Sequence, residues 1–262
     1  VAYFFAKQVT EVLDIPVGLV ISSWGGSRIE SWMNEKTLAS IDGVDIEAAR
    51  SSKLKMHHRL GCMYDTMLWP VRNFTARGFL WYQGESNIFN YYCYAPMMTA
   101  MVQLWREVWE APNMPFYYVQ IAPHKYKDSQ DTDAALLREA QIKALEIIPN
   151  SGMVSTADIG DEFCIHPPQK DVVGLRLATL ALTKTYNICG LPSTGPTMTK
   201  VNYSEGKAIV TFDNASAGLT PAFCNLKGFE IAGADKKFYP AQAQIIDLSL
   251  IHISEPTRLA LI

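Results

Sequence analysis

The stretch Val17-Gly-Leu-Val-Ile-Ser-Ser-Trp-Gly-Gly-Ser27 decides how the fold is read. An apolar run leads into two serines and a glycine-rich turn. This is the texture of a buried strand followed by a loop whose backbone can approach another group closely. On its N-terminal side, Ala2, Phe5, Val9 and Val12 or Leu13 recur at helical spacing until Asp14-Ile-Pro16 stops the helix. On its C-terminal side a short helical piece runs through Trp32. Strand, glycine turn and helix together form the half-unit of a parallel α/β sheet.

The same alternation recurs further along. Gly78-Phe-Leu-Trp-Tyr82 reads as a strand entering Gln83-Gly-Glu-Ser-Asn87, and Tyr91 to Glu110 places Met97, Met101, Leu104, Val108 and Trp109 on one helical face. Pro115 to Ile121 is strand-like, and Ala134 to Ile148 is helical through Leu136, Leu137, Ala140, Ile142 and Leu145. Gly152 to Ala157 is the next strand, ending at Asp158. Pro167 then sits before a helix from Lys170 to Thr185 with Val173, Leu177, Leu180 and Ala181 on one side. Four alternations predict an α/β fold, a parallel sheet with helices on both faces, and a ligand site beyond the carboxyl ends of the strands. Residues 42–60, with Lys53, Lys55, His57, His58 and Arg59, read as an exposed excursion whose histidines belong to a solvated basic face.

From Gly190 the texture changes to short alternating stretches such as Lys207–Phe212 and Gly228–Gly233, punctuated by turns. It is too short for a complete sandwich of roughly 100 residues. Leu248-Ser-Leu-Ile-His-Ile-Ser-Glu-Pro-Thr-Arg258 resembles the translation of a transposase adapter used in sequencing libraries, so 248–262 is set aside as a non-native tail. The expected organisation is an α/β domain over 1–189, a partial β-rich domain over 190–247, and that tail.

Composition narrows the function. The 262 residues are 48% hydrophobic, enough for a full core, and a net charge of −3 gives no general attraction to nucleic acid or anionic lipid. No apolar run is long enough to span a bilayer. Val1-Ala-Tyr-Phe-Phe-Ala-Lys7 lacks an initiator Met and a signal-peptide layout, and reads as the middle of a longer protein. The five cysteines form neither a disulfide framework nor a zinc site, and no cofactor or metal is implied by ligand spacing.

Three segments fall at strand ends: Ser22–Ser27, Trp81–Asn87 and Asp158–Pro167. A Gly25-Gly26 turn offers backbone N–H donors, Gln83 an amide, and His166 a group that takes and returns a proton. These are the parts of an oxyanion hole and an acyl-transfer base, once a serine hydroxyl is supplied. His124, after Pro123, is the competing histidine. A rival reading is a non-catalytic carbohydrate-binding protein that stacks sugars on Trp24, Trp32, Trp81 and Tyr82.

In "VGLVISSWGGSRIESW", "GFLWYQGESN" and "IHPPQKDVVGLRLA" the chain resembles the sialate O-acetylesterase family of SGNH (GDSL-like) hydrolases, from Val1 to about Asp247. The resemblance implies a three-layer α/β/α SGNH-hydrolase-like sheet followed by an incomplete β-rich module. It also implies an exported serine esterase that removes acetyl groups from sugars. By motif, it makes the Gly25-Gly26 turn the backbone oxyanion donor, with Gly26 the donor proper, Gln83 a side-chain donor, His166 the general base and Glu85 an orienting residue. Trp24 and Gly25 would then line the acetylated sugar.

Two departures stand out. The family's nucleophile lies in an upstream Gly-Gln-Ser-Asn block that is absent here, so the nucleophile is expected from a segment before Val1. Ser86, in the look-alike Gly84-Glu-Ser-Asn87, is rejected for that role because its loop is the oxyanion block. The position three residues before His166 is Phe163. Asp161 is the chosen acid partner, with a Ser-His dyad the open alternative.

Overall fold

The computed structural model describes residues 1–126, 132–204, 206–220, 226–235, 237–247 and 250–254. The chain divides into two compact units, Val1–Ser193 and Thr194–Ile262.

The first unit is built on three parallel strands, β1 (Phe79–Tyr82), β2 (Phe116–Val119) and β3 (Ser151–Val154), in that spatial order. Phe79 pairs with Phe116, and Phe116 with Ser151. Side chains alternate across a strand, so β2 divides its aromatic and aliphatic residues between two cores. Phe116 and Tyr118 join one cluster with the helices α4 (Tyr91–Val108) and α5 (Asp133–Ile147). Tyr117 and Val119 join another with α6 (Lys170–Lys184). Helices on both faces of a parallel sheet make the three-layer α/β/α architecture.

The N-terminal helix α1 (Ala2–Leu13) lies against α6, with Val9, Ala178 and Leu182 forming a small core of their own. Close approach explains Gly174. A Cβ there would sit 2.6 Å from the Cβ of Phe4 and 2.8 Å from the carbonyl oxygen of Val1. Two short helices, α2 (Glu35–Ala39) and α3 (Ile46–Arg50), start at Asn34 and Asp45, whose Oδ1 atoms accept from the N–H of Thr37 and Ala48.

One expected strand is not formed. Val17–Ser22 runs on without a β partner, and Leu19, Val20 and Ile21 are 41%, 53% and 64% exposed. An apolar, β-branched run is strand-like only where a neighbouring strand takes up its amides and carbonyls. Among the described residues the backbone of 15–23 meets no such neighbour. The observed sheet therefore begins at β1.

The second unit holds β4 (Thr197–Ser204), β5 (Lys207–Asp213), β8 (Gln242–Asp247) and β9 (Leu250–Ser254) in one antiparallel sheet, ordered β4-β5-β9-β8. Two further strands, β6 (Glu230–Ala232) and β7 (Phe238–Pro240), pair separately. Ala208, Val210, Ala243, Ile251 and Ile253 form the core of this unit. Of the segment set aside on sequence grounds, Leu250–Ser254 forms a strand, and the rest lies outside the described residues. Leu250–Ser254 pairs with β5 on one side and β8 on the other, burying Ile251 and Ile253. Alternation of apolar residues is all that such a pairing requires, whatever the origin of the segment.

Candidate active site

The turn after the extended segment is held in one shape. Ser27 N–H donates to the Trp24 carbonyl, and Gly26 has φ +73°, a left-handed conformation that disfavours any side chain. A Cβ at Gly25 would meet nothing within 4 Å. Of the two glycines, Gly26 is therefore the one the backbone requires. Trp32 Nε1–H donates to Ser27 Oγ at 2.9 Å, and Trp105 Nε1–H to the Trp32 carbonyl at 2.9 Å, which ties the turn to α4.

The end of β1 reaches the same turn. Gly84, at φ +153°, has space for no other residue, since a Cβ would lie 2.7 Å from Ile121 Cγ2 and 3.1 Å from Leu137 Cδ2. Gln83 is buried, and its Nε2 donates to the Ser27 carbonyl at 2.9 Å and to Asn87 Oδ1 at 2.7 Å, while Oε1 accepts from Tyr94 Oη–H at 2.9 Å. Asn87 is the hub. Its Oδ1 also accepts from Ile29 N–H at 2.9 Å, and its Nδ2 donates to Glu30 Oε2 at 2.8 Å and to Asn90 Oδ1 at 3.1 Å. The other Glu30 oxygen accepts from Asn90 Nδ2. With every donor matched, such a buried network fixes the loop geometry.

Two more side chains converge on the carbonyl of Gly26. Ser86 Oγ–H donates to it at 2.8 Å and His58 Nε2 contacts it at 2.9 Å, so His58 carries its proton on Nε2. His57 stacks on Trp24, with ring centroids 6.0 Å apart and planes at 26°. The two histidines read as a solvated basic face are instead part of the turn's surroundings. Only the neighbouring order of the segments in space, which local sequence does not encode, could have shown this. Burial lowers the pKa of His58, and the nearby Arg28, His57 and Lys55 push it the same way, against the hydrogen bond to Gly26.

The loop after β3 is arranged differently. Asp158 is held by Arg176 through two hydrogen bonds of 2.7 and 2.6 Å, which depress its pKa. Asp161 Oδ1 accepts from the N–H of Phe163 at 2.7 Å and of Cys164 at 3.0 Å, forming a turn. Neither carboxylate is hydrogen-bonded to His166, whose exposed imidazole makes no hydrogen bond among the described residues. Asp161 is thus engaged in shaping the loop. The carboxylate that interacts electrostatically with His166 is Glu85. Burial raises its pKa, while Lys170 and His166 oppose the shift. Lys170 Nζ lies 4.9 Å from the centre of the Tyr82 ring, and burial followed by the Glu85 charge pushes the Tyr82 phenol up to about 12.

His124 sits in a separate aromatic contact with Tyr126, centroids 4.9 Å apart, and its Nδ1 is buried without a hydrogen bond among the described residues. Of the aromatics proposed to stack sugars, Trp32 and Trp81 are core residues in edge contact with each other, and Tyr82 is half-buried. Only Trp24, 46% exposed, presents its ring to solvent. No cluster of three or more His, Cys, Asp or Glu side chains that could hold a metal occurs among the described residues.

The family described as "Carbohydrate esterase, sialic acid-specific acetylesterase" matches residues 1–183. The chain belongs to this family. All three loops lie inside the acetylesterase match. The sialate O-acetylesterase of Homo sapiens is 27% identical over 227 residues, covering 80% of this chain and 43% of that protein. The Mus musculus protein of the same name is 27% identical over 258 residues, covering 81% of this chain and 48% of that one. Among solved structures, a carbohydrate acetylesterase from Xanthomonas citri matches with a TM-score of 0.80 and 33% identity, over 97% of this chain and 56% of that chain. The chain spans less than half the length of these two curated relatives. No helix among the described residues is long and apolar enough to cross a membrane.

Proposed function

We propose that this chain carries the oxyanion turn and the general base of a carbohydrate O-acetylesterase. The observation that carries the reading is the clamp between the Gly26 turn and the strand-end block of Gln83, both within the family match. In this reading a serine supplied from outside the 262 residues attacks the acetyl carbonyl and His166 accepts its proton. The carbonyl oxygen becomes an oxyanion facing Gly26 N–H. His166 then returns the proton to the departing sugar oxygen, and water hydrolyses the acetyl-enzyme by the same path. Gln83 Nε2 has both hydrogens engaged, so its share is to fix the turn; donating to the oxyanion itself requires exchange of one of those bonds. Ser86, tied to the Gly26 carbonyl, is kept out of the attacking role, and Glu85 is the carboxylate that interacts electrostatically with His166. Export from the cytoplasm belongs to the same reading and rests on the sequence resemblance.

The test is acetyl-ester hydrolysis by a longer polypeptide that contains this chain. Gln83→Ala should lower kcat about 10²–10³-fold, and an unchanged kcat removes Gln83 from the mechanism. Near-parental activity in His166→Ala overturns the base assignment. Turnover by the 262-residue chain alone, abolished by Ser86→Ala, overturns the placement of the nucleophile.

A further inference from the structure

The glycine turn is held by hydrogen bonds, with little packing behind it. A Cβ at Gly25 would meet nothing within 4 Å, and one at Gly26 would meet only His57 Nε2 at 3.9 Å. The bond that closes the turn, from Ser27 N–H to the Trp24 carbonyl, is 3.3 Å long, more than the roughly 2.7–3.2 Å usual for an amide donor. Two successive glycines leave the backbone many conformations, so the place of Gly26 depends on donors that reach its carbonyl from elsewhere. Among the described residues these are Ser86 Oγ–H at 2.8 Å and His58 Nε2–H at 2.9 Å.

His58 is itself firmly mounted. Its segment is fastened to the chain just beyond the turn, because Arg28 N–H donates to the His57 carbonyl at 3.3 Å and Gly61 N–H to the Glu30 carbonyl at 3.2 Å. His58 N–H donates to the Lys55 carbonyl at 2.8 Å in the short helical turn Met56–His58. The Arg59 guanidinium ties the same stretch to the carbonyls of Leu54 and Ser52 at 2.9 and 2.8 Å. The imidazole stands edge-on to His57, with centroids 4.5 Å apart and planes at 80°, and His57 stacks on Trp24, the first residue of the turn. Backbone and ring contacts thus converge on one hydrogen bond, which Nε2–H can make in the neutral and the charged imidazole alike.

We propose that His58 is a positioning residue for the oxyanion donor: with Ser86 it holds the Gly26 carbonyl and so fixes where the Gly26 N–H points. That N–H donates to no group among the described residues, which leaves it free for an oxyanion. What the N–H meets rests on the esterase reading above; the hold on the carbonyl does not.

The hold is tested in the 262-residue chain by the 13C resonance of the Gly26 carbonyl, which reports the hydrogen bonds it accepts. The resonance should move in His58→Ala and in His58→Phe, which keeps a ring against His57 and removes the donor. It should return in His58→Gln, whose amide nitrogen stands as many bonds from Cβ as imidazole Nε2. An unmoved resonance in His58→Phe overturns the hold, and this variant decides the matter if His58→Ala does not fold. The catalytic consequence is tested by hydrolysis of a neutral aryl acetate by the longer polypeptide. A donor that acts on the transition state and is misplaced by a fraction of its reach should show in kcat, with a loss of about 10–100-fold and an unchanged KM. His58→Gln should recover most of that loss. An undiminished kcat in His58→Phe, a loss carried by KM, or a restored resonance without restored kcat overturns the positioning role. No hydrolysis by the unaltered longer polypeptide sinks the esterase reading and the catalytic role with it, while the carbonyl resonance still decides the hold.

Discussion

The two flanks of the candidate site are built on opposite terms. On one side, Gln83, Asn87, Glu30, Asn90 and Tyr94 form a buried network in which each polar atom is matched and the Gly26 carbonyl is held by two donors. On the other, His166 stands in water on a loop shaped by the Asp161 turn and the Asp158–Arg176 pair. A group that must lower the energy of a forming charge gains from being fixed in advance, whereas a group that carries a proton between two oxygens needs room to reorient. The clamped flank should therefore register in stability as well as in chemistry, and the open flank in chemistry alone.

The largest effect should come from Asn87→Ala. It strands Ile29 N–H, a Gln83 hydrogen and a Glu30 oxygen in the interior, at about 1–3 kcal/mol each when unrelieved, and urea unfolding should show a loss of about 3–5 kcal/mol. Gly84→Ala should follow, at about 3 kcal/mol by the same measurement, because left-handed strain and the clash with Ile121 add together. A loss below about 1 kcal/mol in either would break the contrast. Glu85→Gln should act with the opposite sign. The pKa of Glu85 is raised above its ordinary 4.5 in the folded chain, so folding favours the neutral acid. That contribution is complete below pH 4.5 and is lost as the pH rises through the folded value. The neutral variant should therefore unfold at higher denaturant near pH 7, with the gain vanishing in acid. The smallest effect should be that of His166→Ala, within about 0.5 kcal/mol of the parent even as esterase activity falls in the longer polypeptide. A large loss of stability there would mean that the open flank is also structural.

Much of the α/β unit was legible because its signals are local. The Met97, Met101 and Leu104 stripe became the buried face of α4, and the runs at Gly78, Pro115 and Gly152 became β1, β2 and β3. Val17–Ser22 misled for a physical reason: its residues describe what a strand would bury, while strandhood depends on a neighbour that no single segment specifies. His58 escaped for a related reason. His58 lies 32 residues from Gly26 in the chain, and its contact with the Gly26 carbonyl arises only from the crossing of two loops. Asp161 was the natural choice of acid partner by proximity in sequence, yet the nearby amides of Phe163 and Cys164 claim its oxygen, and Glu85, contributed by the end of another strand, interacts electrostatically with His166. Asn87 lay in plain view within the Gln83–Asn87 block, but its role as hub depends on Glu30 and Ile29, which no spacing rule ties to it.

The extended run from Val17 to Ile21 also bears on how the chain behaves in a test tube. Apolar, β-branched residues on an unladdered backbone are a template on which identical segments from other molecules can assemble, the hazard that natural sheet edges suppress with lysine or proline. Light scattering that rises with protein concentration is the expected sign of such assembly. Val20→Lys is the single change suited to relieve it, because Val20 is exposed and lies outside every hydrogen-bonded loop of the candidate site.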